Sequence, residues 1–403
     1  MQKSFFGWPS GGLRHAALAM VSAFALAACG GGGGGGGGSG AGGGPAGVFA
    51  SGRIEGFASV IVNDIHFDHA NATIRDEEGN SVGPGHLRLG MVVEVEGGPV
   101  SEVSDDDRST ATELRFSSLI RGPVTAVGAD SLTVLGQTVA LDARTVFEGF
   151  ADGRNSVRAG DLVVVYGYLG AGSGHHAATR VEFEDNLNAY RLRGRVSGLD
   201  ATAQTFRIGN ATISYAGVPA GSRPALADGA LVRVVLQTAQ QGGNWVATAL
   251  ASAARTVDDM ATAEIEGYVS DFQSLADFRV DGIPVDASGA QVEFDDGNSG
   301  NLADGVRVEV EGAIRNGVLV ARKVDFEDRD DDDDDDFEVR GTIQSLDTTA
   351  QAFVVEGVTV EYAAAQFSGG TQADLANGAR VEVEGRLSAN GAALRAQSVE
   401  FRN

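Results

Sequence analysis

The chain has 403 residues, 43% of them apolar and 7% aromatic, and a formal net charge of −25. The composition is that of a globular protein, and a charge of this sign repels nucleic acid and anionic lipid, which excludes nucleic acid as a main partner. Length alone suggests two or three domains, but an internal repeat overrides that number.

Residues 1–28 read as a signal peptide. Lys3 and Arg14 supply a positive start, Ala16 to Ala28 is an apolar stretch of 13 residues, and Leu26-Ala27-Ala28-Cys29 closes it with small residues ahead of a cysteine. A helix needs roughly 20 apolar residues to cross a bilayer, so the stretch is a processing signal and not a membrane anchor in its own right. The closing tetrapeptide resembles the lipobox of bacterial lipoproteins, in which the thiol is lipidated, with palmitate as a typical chain, and cleavage leaves that cysteine first. Cys29 is the only cysteine of the chain and so has no partner for an internal disulfide. The alternative is an ordinary secretory signal that releases a soluble protein. Loss of residues 1–28 removes Lys3 and Arg14 and no acid, taking the charge from −25 to −27.

Residues 30–44 hold 13 glycines, interrupted by Ser39 and Ala41. Such a segment is a flexible coil with a reach of about 20 Å, and residues 29–47 read as a lipidated cysteine and tether. By resemblance to Gram-negative lipoproteins, Gly30 in place of an aspartate after the cysteine implies the outer membrane. The expected location is therefore the cell envelope, held by a lipid at the N-terminus.

Beyond the tether the chain repeats itself. Strand openings recur at Gly52, Gly122, Gly194, Gly267 and Gly341, spaced 70, 72, 73 and 74 residues apart. Each is followed by an alternating strand, VEVEG at Val93–Gly97, Val308–Gly312 and Val381–Gly385, VVVYG at Val163–Gly167 and RVVLQ at Arg233–Gln237. A fixed period marks a modular array, here divided as 48–117, 118–188, 189–260, 261–328, an acidic linker 329–336, and 337–403. The last copy shows the expected strands best: Phe337–Leu346, Ala352–Glu356, Val358–Tyr362, Arg380–Leu387 and Ala393–Phe401, with Gly357 and Asn390-Gly391 as turns. Strict alternation predicts half-buried strands, and Asn-Gly between two of them predicts a hairpin. Between the third and fourth strands each copy carries an apolar residue three positions before a glycine: Leu87 to Gly90, Val157 to Gly160, Leu226 to Gly229, Leu302 to Gly305 and Leu375 to Gly378. This spacing predicts a buried plug and a glycine that ends a short helical turn.

The fold expected is all-β: five tandem small five-stranded barrels resembling the oligonucleotide/oligosaccharide-binding (OB) fold, with another small barrel or sandwich as the alternative. The glycine-opened first strand, the VEVEG strand and the terminal V-x-F-E strand look like the tandem repeats of domain of unknown function 5666, found in envelope lipoproteins of proteobacteria. The resemblance covers nearly all of residues 48–403 and is weakest in the third copy, where Gln237 replaces the glycine and Asn244-Trp245 alters the last hairpin. It implies architecture and location only.

Candidate chemistry is sparse. Glu94 and Glu96, Glu309 and Glu311, and Glu382 and Glu384 stand two apart on strands, and a pair of carboxylates invites a glycosidase reading. No nucleophile, acid and orienting group converge by motif, so the pairs read as solvated strand faces. Residues 325–336 hold ten acidic side chains in twelve, and calcium takes six to eight oxygen ligands, so Asp328, Asp330, Asp332, Asp334, Asp336, Asp295 and Asp296 are calcium candidates. Asp105 to Asp107 form a smaller cluster. The competing reading of the run is an extended, self-repelling linker. His66, Asp68 and His69 lie on a strand with His69 facing away from the other two, and His175-His176 falls at a hairpin tip, so both read as exposed polar residues. Trp245 is a half-buried core residue or a binding residue.

The expectation that results is a non-enzymatic envelope lipoprotein with no cofactor, attached to a membrane through its lipidated N-terminus. Its barrels serve as binding or spacing units for an envelope protein or a polysaccharide. The alternative is a calcium-dependent adhesion or structural array, and a glycan-active enzyme ranks third.

Overall fold

The structure, a computed structural model, describes residues 47–57, 59–103, 106–170, 172, 174–327 and 337–402. The expected signal peptide, Cys29, the glycine tether, Asp105 and the acidic run with Asp328, Asp330, Asp332, Asp334 and Asp336 lie outside these residues. Among the described residues every regular element is a β-strand or a short 3₁₀ turn, and no helix is long and apolar enough to cross a membrane.

The protein is all-β and built from small closed five-stranded barrels. The fourth copy shows the rule. Its first strand, Met260–Ser274, pairs antiparallel with the fourth, Arg307–Arg315, which pairs antiparallel with the fifth, Val318–Phe326. The third strand, Ile283–Asp286, runs parallel to the fifth and antiparallel to the second, Asp277–Val280, which returns to the far half of the first. The ring is therefore 1-2-3-5-4-1 with one parallel step, the OB order. The same steps recur where Val48–Arg53, Ile120–Val127, Tyr190–Arg195 and Phe337–Thr342 serve as first strands, with a parallel third-to-fifth step in each.

Sequence alternation dictates this directly. In Arg307–Arg315 the buried residues Val308, Val310, Gly312 and Ile314 alternate with half-buried Arg307, Glu309, Glu311 and Ala313, the period of a strand with one face on a core. The glycine that opens each copy has a steric cause. A β-carbon on Gly194 would lie 2.4 Å from Ile208 Cγ2, one on Gly122 2.7 Å from Leu135, and one on Gly341 2.6 Å from Glu356. In each case the intruder belongs to the hairpin between strands two and three, which folds over the first strand where the glycine leaves room. The glycine of the VEVEG strand is a bulge. Register with the fifth strand slips at Glu311/Gly312 and at Glu384/Gly385, and a β-carbon on Gly312 would stand 2.1 Å from the Val320 carbonyl oxygen. In the third copy, where Gln237 replaces the glycine, the slip moves to Val235/Leu236.

The motif between strands three and four is placed differently from expectation. The 3₁₀ turns Ser299–Asn301 and Gln372–Asp374 end at the apolar residue, Leu302 or Leu375, and not at the glycine. Gly305 lies beyond the turn at φ +89, and its N–H donates to the Val269 carbonyl at 2.8 Å. This glycine ties the connection to the first strand.

The copies do not stand as separate beads. The near half of each first strand is bonded on one side to its own fourth strand and leaves the other edge open, and in the first copy the far half, Gly56–Phe57, bonded to its second strand at Ile61, has an open edge as well. Val48–Ser51 pairs parallel with Thr262–Ile265 of the fourth copy, Gly56–Phe57 pairs parallel with Glu338–Val339 of the fifth, and Ile120–Arg121 pairs antiparallel with Arg191–Leu192 of the third. Cores merge accordingly. One cluster runs through the second and third copies, from Val134 and Val163 to Phe206 and Val234. Phe49 enters the core of the fourth copy, Leu89 that of the fifth, and Val164 and Tyr166 that of the first. A barrel of 60 to 70 residues buries only about 60% of its chain surface, and shared packing adds to that.

Gly312→Ala is expected to lower unfolding free energy by at least about 2 kcal/mol, since overpacking against backbone has no cheap relaxation. Gly221→Ala, with nothing within 4 Å of the new methyl, is expected to leave it unchanged; urea denaturation of both variants measures the difference.

Candidate functional site: an arginine-lined cleft

The edge pairing brings side chains of distant copies together at two places. The first is a buried ionic junction. Arg53, 1% exposed, donates from Nη2 to Glu55 Oε1 at 2.9 Å and lies over the Phe337 ring at 4.9 Å. Glu266, 4% exposed, accepts from Arg307 Nε at 2.9 Å and from the buried Tyr168 hydroxyl. Residues of the first, second, fourth and fifth copies thus meet at one junction, where the charges of Arg53 and Glu266 attract, and the buried charges are paired, as burial requires.

The second place is a cleft of about 520 Å³ between the first, second and third copies, within the range of small-ligand sites. One wall is the loop Asp76–Gly79, held because Asp76 Oδ1 accepts the N–H groups of Glu78 at 3.0 Å and Asn80 at 2.8 Å. Val92, Glu94 and Phe116 form another wall, and five arginines line the cleft: Arg75 and Arg115 of the first copy, and Arg193, Arg233 and Arg255 beyond it.

Strand register explains why arginines gather there. In the third copy Arg191, Arg193 and Arg195 alternate along the first strand, so all three project from one face. Arg191 lies opposite Arg121 of the second copy, a like-charge pair that is unfavourable by itself. Glu77 resolves it: its carboxylate pairs with Arg191 and, at 3.2 Å, with Arg121, while Ser118 Oγ donates to it at 2.8 Å. Arg195 pairs with Asp271 at 3.0 Å. Arg193 faces Arg233 directly across the strands. Arg233 donates to the Glu77 carbonyl at 2.5 Å, whereas Arg193, 5% exposed, has a buried Nη2 with no hydrogen-bond partner. Burial, with Arg255 close by, lowers the Arg193 pKa to about 10. Arg255 is itself paired, from Nε to Glu94 at 2.7 Å and from Nη1 to the buried Asp281 at 2.8 Å.

The residues singled out in the sequence fall elsewhere. Asp295 sits on the short strand Glu293–Asp295 and pairs with Lys323 at 3.3 Å, and Asp296 follows at φ +52. Among the described residues no group of three or more His, Cys, Asp and Glu side chains is placed to hold a metal ion. Glu382 is held by Arg340 at 2.7 Å and Arg402 at 3.0 Å. Glu309 is not on a solvated face. Pairing of the first and fourth copies covers it, and burial together with Glu264, Asp64 and Glu327 raises its carboxyl well above the usual range. His176 is likewise not exposed: it is 3% exposed, its Nε2 is 3.0 Å from the Arg193 carbonyl, and burial lowers its pKa to about 4. The hairpin tip is covered because it packs on the third copy. His66 is 3.1 Å from Ser59 Oγ, and Asp68 accepts the Ala70 N–H. Trp245 is partly buried against the core and meets Tyr190 edge-on at 5.7 Å.

A family model for a domain of unknown function, DUF5666, matches residues 121–182, 266–325 and 340–400. The chain carries DUF5666 in three copies. The match is narrower than the resemblance expected, and the first and third barrels lie outside it. A search of curated proteins returned no match. The cleft follows this division: its lining residues come from the two barrels outside the DUF5666 matches and the connections that follow them, apart from Gly167.

The carboxylates under the joined sheet set a pH dependence. In the pairing of Met260–Ser274 with Arg307–Arg315, Glu264 lies opposite Glu311. Burial first, then Glu311, Asp107 and Asp64, raise the Glu264 carboxyl from 4.5 to about 8. A raised carboxyl binds more protons folded than unfolded, so its contribution is fully present below pH 4.5 and is lost as pH rises toward 8. Thermal midpoints are expected to fall between pH 5 and pH 8. Glu264→Gln is expected to raise the midpoint at pH 8 by a few degrees and to flatten the slope; an unchanged slope contradicts the assignment.

Proposed function

We propose that the protein is a non-enzymatic binding protein of the bacterial cell envelope, anchored in a membrane, the outer membrane of a Gram-negative cell, by lipid on Cys29. Its barrels act together as one recognition body for an envelope polysaccharide or protein. The observation that carries the binding reading over a spacing one is the order of the pairing. The first copy bonds to the fourth and fifth and the second to the third, so the chain doubles back on itself, which shortens a spacer but builds a cleft. The location rests on the lipobox-like Leu26-Ala27-Ala28-Cys29 and the glycine run that follows. A single acyl chain holds a protein only marginally, and more than one chain gives stable attachment.

Labelling of cells with radioactive palmitate and separation of membranes tests this reading. The wild-type chain is expected to carry label and to sediment with outer membranes, and Cys29→Ser to carry none and remain in the soluble or inner-membrane fraction. An unlabelled wild-type chain in the soluble fraction overturns it.

A further inference from the structure

We propose that the cleft binds a hydroxyl-bearing organic carboxylate of the sugar-acid type, with the carboxylate between Arg193 and Arg233. The inference deepens the binding reading above and rests on it.

The protein contains its own precedent. Two cross-strand arginine pairs are formed by the first strand of the third copy, Arg121 with Arg191 and Arg193 with Arg233. The first pair is bridged by the Glu77 carboxylate, whose side chain is 8% exposed. The second pair has no carboxylate bound to it, although Arg193 is the more deeply buried arginine. A buried guanidinium with an unsatisfied N–H costs more than a paired one, and an arginine fork matches a carboxylate with two parallel hydrogen bonds. An external carboxylate completes the second pair as Glu77 completes the first.

Charge and size narrow the ligand. Around Arg193 stand Arg233 and Arg255, faced by Glu94 and Asp281. Three guanidinium groups against two carboxylates leave a positive charge around Arg193 itself; the rest of the lining adds Arg75 and Arg115 against Asp76, Glu77 and Glu78, so a single carboxylate seated at Arg193 is matched and a polyanion is not. The cleft of about 520 Å³ is larger than a bare ion needs. Asp76 and Glu78 on the opposite wall already accept from Asn80 and Arg191, but a carboxylate has about four lone-pair sites and can accept a ligand hydroxyl as well, and half-buried Phe116 offers an apolar face. This set fits a hydroxylated ring carrying one carboxylate. It is assembled from different copies brought together by the joins, so it is a property of this chain's own arrangement and not of a single repeat.

The test is thermal unfolding and calorimetric titration of the full chain in detergent at pH 7 and constant ionic strength, with galacturonate, galactose and inorganic phosphate as probes. Galacturonate is expected to raise the midpoint with concentration, and galactose at the same concentrations to leave it unchanged. Arg193→Met is expected to abolish the galacturonate shift while keeping or raising the midpoint without ligand, because an unpaired buried charge is gone. A merely structural arginine lowers that midpoint. Arg233→Gln, at a half-buried position, is expected to weaken galacturonate at least about tenfold and provides the readout if Arg193→Met does not fold. The proposal is overturned if galacturonate acts no more than matched chloride, if both variants bind it as the wild type does, or if phosphate shifts the midpoint more than galacturonate. None of these outcomes touches the palmitate label on Cys29, so the two readings fail separately.

Discussion

The open edge of the first strand is the constraint on which the structure depends. In a ring ordered 1-2-3-5-4-1 the first strand bends, giving its near half to strand four and its far half to strand two, and the near half keeps one row of backbone groups unpaired. An unpaired edge invites association. This chain uses its own copies: two parallel joins and one antiparallel join link the first strands. Backbone hydrogen bonding and the merged cores together hold the barrels.

What the joins enclose follows from which faces they cover. Where the first and fourth copies meet, strand faces that read as solvated become an interior, and Glu264 and Glu309 are left to share a poorly hydrated space with other acids. Where the first, second, fourth and fifth meet, Arg53 pairs with Glu55 beside a second group in which Glu266 accepts from Tyr168 and Arg307, and the charges of Arg53 and Glu266 attract. Where the first, second and third meet, the arginines outnumber their partners, and a cleft remains. The same edge chemistry thus yields a pH-sensitive seam, a structural lock and a site.

The barrel was legible in the sequence because its determinants are local. Alternation placed Val308 and Val310 inward, and the Asn316-Gly317 pair marked a hairpin that has both residues at positive φ. The glycine openings marked the place where a hairpin crosses the strand. The joins were not legible, since Val48–Ser51 and Thr262–Ile265 are ordinary strands and nothing local says that one lies beside the other. For the same reason Glu309 read as solvated and His176 as exposed. The site was missed although a signal existed. Arg191, Arg193 and Arg195 alternate in a chain of net charge −25, so three cations on one strand face needed partners, and only tertiary contact shows that Arg193 Nη2 is left without a hydrogen-bond partner.

Hydrogen exchange of the full chain, resolved at those amides of 48–51 and 262–265 that point away from their own fourth strands, tests the account most directly. If the open edges are joined, these amides exchange as slowly as those of the core strand at 308–310, because they are released only by unfolding of the joined barrels. Exchange at the rate of the exposed hairpin at 238–243 contradicts the account, and leaves the barrels as separate units on a string.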